Sequence, residues 1–252
     1  MRGMRIAVIS DIHGNLAALE AVLADVRLAS PDVVVQGGDL AMGGHCPAEV
    51  VDRIRAMGFP GVVGNTDEVL WNDESRAALE RSAPKLGPLL RMIFEDAAAT
   101  AKLLGEERIG WLRALPGEWR SSDGQIALVH ASPGNLWRSP GAEADDAELR
   151  ATYGSLGARI AVYGHIHRPY VRTVAALTVA NSGSVGSPYD GDPRPSYLLI
   201  EDGRVTIRRV AYDLERECRE FIASGYPHAE WLAEIRRKGA YVPPPSMAPA
   251  QS

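Results

Sequence analysis

Residues 5–15 read Arg5-Ile6-Ala7-Val8-Ile9-Ser10-Asp11-Ile12-His13-Gly14-Asn15. The apolar, partly β-branched run stops at polar residues and a glycine, which reads as a buried strand ending near Ser10. Asn15 is a plausible N-cap for the next segment, where Leu16, Leu19, Leu23 and Val26 recur at helical spacing. A second apolar run, Asp32 to Gly37, is followed by Pro47, which could open a helix carrying Val50, Val51, Ile54 and Met57, and then by a third run from Gly61 to Val63. The order strand, helix, strand, helix, strand implies parallel strands.

Two further runs, Gln125 to Val129 and Arg159 to Tyr163, read as strands. Between the third and fourth, from about Asn72 to Leu115, the pattern turns helical. Leu90, Ile93, Phe94, Ala97, Ala101 and Leu104 make one stripe there, expected to be an insert or cap over about 72–115. After Tyr163 hairpin-like pairs appear, including Ser196 to Ile200 and Val205 to Val210 around Asp202-Gly203, and these suggest a second sheet packed face to face on the first. Asp213 can cap a helix through Ile222, and His228 to Lys238 reads as another. A single domain is expected over 1–242, with 243–252 a disordered tail, because it holds too few large apolar groups to fold.

With 252 residues, 46% of them hydrophobic and 23% charged, the chain can bury a substantial core. A formal net charge of -5 supplies no basic field, so no stable nucleic-acid complex is expected, while small anionic substrates stay open. Cys46 and Cys218 fit no disulfide or CxxC framework, the first residues do not read as a leader, and no apolar run approaches the roughly 20 residues of a membrane span. A reduced, cytoplasmic setting away from membranes is the expectation; the oligomeric state is not readable.

The chemistry lies where metal-ligand residue types fall. Asp11 and His13 follow the first run, Asp39 the second, Asn65 the third, His130 the fourth, and His165 and His167 the fifth. Strand carboxyl ends share one edge of an open parallel sheet, so residues far apart in sequence can meet there. A mixed carboxylate, imidazole and carboxamide set suits Mn, Fe, Zn, Co or Ni rather than calcium.

At these positions the chain resembles the calcineurin-like metallophosphoesterase superfamily, whose motifs run D-x-H, G-D, G-N-H-[DE], H and G-H-x-H. The resemblance covers Asp11 to His167, and Asn181 to Gly186 looks like a segment that follows in small bacterial members. It implies an α/β fold, a four-layer α-β-β-α sandwich of two mixed sheets. It implies two divalent transition-metal ions, manganese first: one held by Asp11, His13 and His167, the other by Asn65, His130 and His165, with Asp39 bridging. Where many members read Gly-Asn-His, this chain reads Gly64-Asn65-Thr66-Asp67. The histidine often assigned to leaving-group protonation is missing, as it is in the YfcE-like branch of small bacterial and archaeal phosphodiesterases.

Two such ions, roughly 3.5–4 Å apart, can acidify a shared water to a bridging hydroxide nucleophile and clamp an in-line displacement. Without a placed acid, good leaving groups are favoured, so the expected reaction is hydrolysis of phosphodiester or nucleotide-type bonds. Asp39, Asn65, His130 and Asp67 are the expected catalytic residues, and Asn15 and Arg168 the expected substrate contacts. His45 could replace the missing acid, although a solvated loop histidine is the commoner outcome. A dinucleoside polyphosphate hydrolase or a phosphomonoesterase (a protein or small-molecule phosphatase) would use the same metals, and a binding module that has lost turnover is a further alternative.

Overall fold

The protein is described by a computed structural model over residues 4–244; of the tail expected at 243–252, residues 245 onward lie outside the described residues. The opening run forms β1 (Ile6–Ile9), buried at all four positions, and Asn15 caps α1 (Leu16–Ala29) by accepting from the Ala18 N–H. There follow β2 (Val33–Gln36), α2 (Pro47–Met57) with proline in its first turn, α3 (Asn65–Glu68), α4 (Asp73–Ser82) and α5 (Gly87–Arg113). The last of these breaks at Gly105, whose φ of 71° is left-handed. The second half holds β3 (Glu118–Arg120), β4 (Ile126–Val129), α6 (Asp146–Tyr153), β5 (Ile160–Tyr163), β6 (Tyr170–Val174) and β7 (Leu177–Asn181). It closes with β8 (Ser196–Glu201), β9 (Arg204–Arg209), α7 (Leu214–Ala223) and α8 (Ala229–Lys238).

Two mixed sheets result, of order β2-β1-β8-β9 and β3-β4-β5-β7-β6. Three expectations are corrected here. The hairpin β8–β9 joins the first sheet, antiparallel to β1, rather than founding the second. Conversely β4 and β5, expected on the same edge as β1 and β2, pair parallel with each other in the other sheet. The run at Gly61 to Val63 is no strand but one bridge, Gly61 to Gln36, because Val63 turns away to donate to the Pro116 carbonyl.

Alternation along the strands sets the four layers. Ile6, Val8, Leu198 and Ile200 from one sheet meet Ile126, Leu128, Ile160 and Val162 from the other in a fully apolar middle. The opposite face of β1, Ala7 and Ile9, packs on α1, α2 and α5, where Leu90, Ala97 and Leu104 of the expected stripe are buried. Ala127, Val129, Ala161 and Tyr163 pack outward on Leu149 and Tyr153 of α6. The fold is therefore the four-layer α-β-β-α sandwich. Among the described residues no helix is long and apolar enough to cross a membrane.

Leu128 is fully buried between the sheets, whereas Leu28 is 84% exposed. Urea unfolding of Leu128→Ala should show a loss of about 2–5 kcal/mol, and Leu28→Ala a change within about 0.5 kcal/mol.

Candidate metal centre

The two sheets are aligned so that β1 and β2 of one, and β4 and β5 of the other, all discharge their loops at the same end. The loop after β1 lies on the loop after β2: the N–H of Asp11 donates to Gly38, those of Ile12 and His13 to Asp39, and that of Gly14 to Leu40, all at 2.9–3.0 Å. The second sheet is tied in by the His165 N–H, which donates to Asp11 Oδ1 at 3.1 Å. Gly164 makes that approach possible, since a Cβ there would strike the Asp11 carboxylate, and a Cβ on Gly64 would strike Asp39 in the same way.

All seven expected ligands converge. The ligand atoms of Asp11, His13, Asp39 and His167 lie within 4.8 Å of one another. Beside them, Asn65 Oδ1 is 2.7 Å from His130 Nε2 and 2.9 Å from His165 Nδ1. Asp39 stands between the groups, with Oδ2 3.7 Å from His13 Nε2 and Oδ1 3.5 Å from His130 Nε2. Five of the seven, Asp11, His13, Asp39, His165 and His167, have φ between 49° and 67°, as do few other non-glycine residues in the described chain. Each such residue is strained by about 1–3 kcal/mol, and such strain gathers at functional sites.

The donor set fits divalent cations. Nδ1 of His13, His130 and His167 lies 2.7, 2.8 and 2.5 Å from the carbonyls of Met42, Gly37 and Ser187, so in the neutral rings the proton sits on Nδ1 and the Nε2 lone pair turns inward. His13 Nε2 and His167 Nε2 then meet at 3.1 Å, lone pair against lone pair. A cation between them converts that repulsion into coordination.

Burial alone would raise the Asp11 carboxyl, but His167, then His130 and His13, outweigh it and hold it well below the usual carboxylate range. Burial, reinforced by His167, lowers His13, and burial with the neighbouring His130 takes His165 down to about 4. For His130 the burial penalty is overcome by Asp39 and Asp11, so its value is raised.

The other expected site residues lie elsewhere. Asp67 is fully buried and accepts from the N–H groups of Asp39, Leu40 and Gly64, so it holds the loop and has no free oxygen for substrate. Asn15 is also fully buried; its carbonyl caps α1 and its amide donates to Gly186 and Tyr212, which leaves nothing to face a phosphate. Arg168 is exposed, and its Nε donates to the Tyr189 carbonyl. His45 stacks on Phe221 with Nδ1 3.6 Å from Glu217, beside a different cavity. Cys46 precedes α2, and burial pushes its thiol up to about 11.

Sequence reasoning missed Arg236 of α8, which is buried, pairs with Glu217 at 2.7 Å and donates to the carbonyls of His13 and Gly43. It also passed over the role of Ser184, whose hydroxyl donates to the Asp11 carbonyl while the Gly186 N–H donates to the same oxygen. The metal cluster opens into a cavity of about 200 Å³, lined by His13, Asn65, Thr66 and His167 and by an apolar wall from α5, α8 and nearby loops.

Comparison with known proteins gives a consistent picture. The description "Calcineurin-like phosphoesterase superfamily domain" matches residues 4–203. The chain is 30% identical to an uncharacterized protein of Methanocaldococcus jannaschii, over 91% of this chain and 96% of that one. A solved metallophosphoesterase from Sphaerobacter thermophilus superposes with a TM-score of 0.74 at 26% identity, over 94% and 99% of the two chains. A symmetrical bis(5'-nucleosyl)-tetraphosphatase of Pectobacterium carotovorum is 28% identical, but over only 59% of this chain and 50% of its own.

Titration of the metal-free protein with Co²⁺ between pH 8 and 5 should show affinity falling with pH, because a protonated imidazole has no lone pair to give. The fall begins above 6.5, where the raised His130 takes a proton first, while His165, at about 4, stays available throughout. Affinity unchanged across this range would contradict the donor assignment. Arg236→Gln, which strands Glu217 in a buried site, should lower unfolding stability by about 3–5 kcal/mol in urea.

Proposed function

Because the chain belongs to the calcineurin-like phosphoesterase superfamily, and so is a phosphoric ester hydrolase, we propose that it cleaves phosphodiester or nucleotide-type bonds with two divalent transition-metal ions. In this reading Asp11, His13 and His167 would hold one ion and Asn65, His130 and His165 the other, with Asp39 able to contribute to both. The supporting observation is the position of Asp39, whose two oxygens face the two histidine groups separately. When bound, such a pair supplies Lewis acidity and an acidified water; manganese is the ion we would load first.

The chain's own groups do the rest. The Thr66 N–H donates to Asp39 Oδ1 at 2.9 Å and so fixes the carboxylate between the two groups. The Thr66 side chain lines the cavity where an acid would be useful, and a hydroxyl does not give up a proton near neutral pH. Substrates whose leaving groups need little protonation are therefore favoured. We take α5 as the part of the expected cap that faces the site, since Leu89 and Ile93 wall the cavity. The relationship to the bis(5'-nucleosyl)-tetraphosphatase supports a second reading, hydrolysis of a nucleotide phosphoanhydride at the same centre.

With Mn²⁺ restored to metal-free protein, bis-p-nitrophenyl phosphate should be cleaved faster than p-nitrophenyl phosphate, and Asp39→Asn and His167→Ala should each lower kcat at least about 100-fold. Turnover of the monoester alone would replace the diesterase with a phosphatase, and full activity in either variant would remove the proposed ligand set.

A further inference from the structure

The cavity beside the metal cluster is unlike the cluster itself. Trp137, Tyr189 and Trp231 contribute aromatic surface, and Leu89, Ile93 and Asp96 of α5, spaced four and three residues apart, present one face of that helix to it. The two indoles are pinned by their N–H groups, Trp137 donating to Glu68 and Trp231 to the Val242 carbonyl, both at 2.8 Å. Their faces are thus held in place at little further entropic cost to a ligand. At about 200 Å³ the space falls below the roughly 300 Å³ of pockets that take whole drug-sized molecules, and suits one planar ring system.

Within this apolar wall sits one acid. Asp96 is 4% exposed, and its Oδ1 is buried with no hydrogen-bond partner; the Thr66 hydroxyl on the same cavity is likewise unpartnered. A buried polar atom left unpaired is costly unless a ligand completes it. Burial, with the Glu95 carboxylate adding to it, pushes the Asp96 carboxyl up to about 8, so near neutral pH it carries its proton. A neutral carboxyl offers an O–H donor next to a carbonyl acceptor.

We propose that Asp96 is a specificity-determining residue that reads the edge of a planar heteroaromatic ring, of the kind found on a nucleobase, stacked in the aromatic cavity beside the metal centre. The ring must present a donor and an acceptor side by side. This rests on the phosphoesterase reading for its place next to the metals, but binding of the ring does not require turnover.

The test uses the metal-free full chain and calorimetric titration with adenosine, guanosine and cytidine, against purine riboside, which has the ring but lacks the exocyclic donor. At least one of the three nucleosides should bind about tenfold or more tightly than purine riboside. Asp96→Asn, which keeps a donor and an acceptor, should retain that advantage, and Asp96→Leu should abolish it. Neither replacement breaks a hydrogen bond of Oδ1, and thermal melting checks that both variants fold. An advantage that survives in Asp96→Leu, or is absent for all three nucleosides in the unaltered chain, overturns the proposal. Turnover of bis-p-nitrophenyl phosphate by the Mn²⁺-loaded chain is measured in parallel. Selective binding without turnover sinks the phosphoesterase reading alone, and turnover without selectivity sinks this one alone.

Discussion

Two carboxylates and several imidazole lone pairs, gathered in a buried pocket, repel one another unless a positive charge sits among them, and much of the architecture resists that repulsion. Asp11 and Asp39 are almost fully buried, and the ring nitrogens of His13 and His167 face each other at 3.1 Å. Five ligands are held in left-handed backbone conformations that their side chains do not favour. Strain of that kind persists only where surrounding bonds leave no alternative. Here they are supplied by the crossed loops after β1 and β2, by the buried Asp67 carboxylate, and by Ser184 in the loop that joins β7 to β8.

The candidate ligands and part of the cavity wall come from different stretches of the chain. The family description ends at residue 203, and every candidate ligand lies before that point. Trp231 and Tyr241, which wall the cavity, and Arg236, which braces the His13 loop, lie after it. The part that matches the family description thus holds every candidate ligand, while α7, α8 and the segment that follows supply a wall and a brace. Because a fold hosts many functions through such additions, substrate choice is better sought in those later residues than in the ligands.

How far this was legible in the sequence depends on the range of each interaction. The seven candidate ligands could be singled out because each follows closely on an apolar run, and the caps at Asn15 and Asp213 because capping is local. The partition of strands between sheets could not, since whether β8 lies beside β1 is decided by the burial of both β1 faces, a property of the assembled layers. Asp67 and Asn15 were legible as polar groups beside the ligands, but not as groups already saturated by backbone partners. Arg236 stands in a helix that looks like any charged surface helix, and nothing nearby marks it as buried. The positive φ values gave little sequence signal, because aspartate and histidine adopt them more often than other side chains but far less routinely than glycine.

The position of Arg236 bears on the order in which the molecule is made. It lies 69 residues after His167, the last of the seven candidate ligands, and a ribosome adding roughly 5–20 residues per second needs roughly 3–14 s to bridge that gap. During the interval the nascent chain already holds every candidate ligand, while the carbonyls of His13 and Gly43 await their guanidinium. The brace on the His13 loop is therefore the last part of the site's support to be synthesised, after Ser184 and β8.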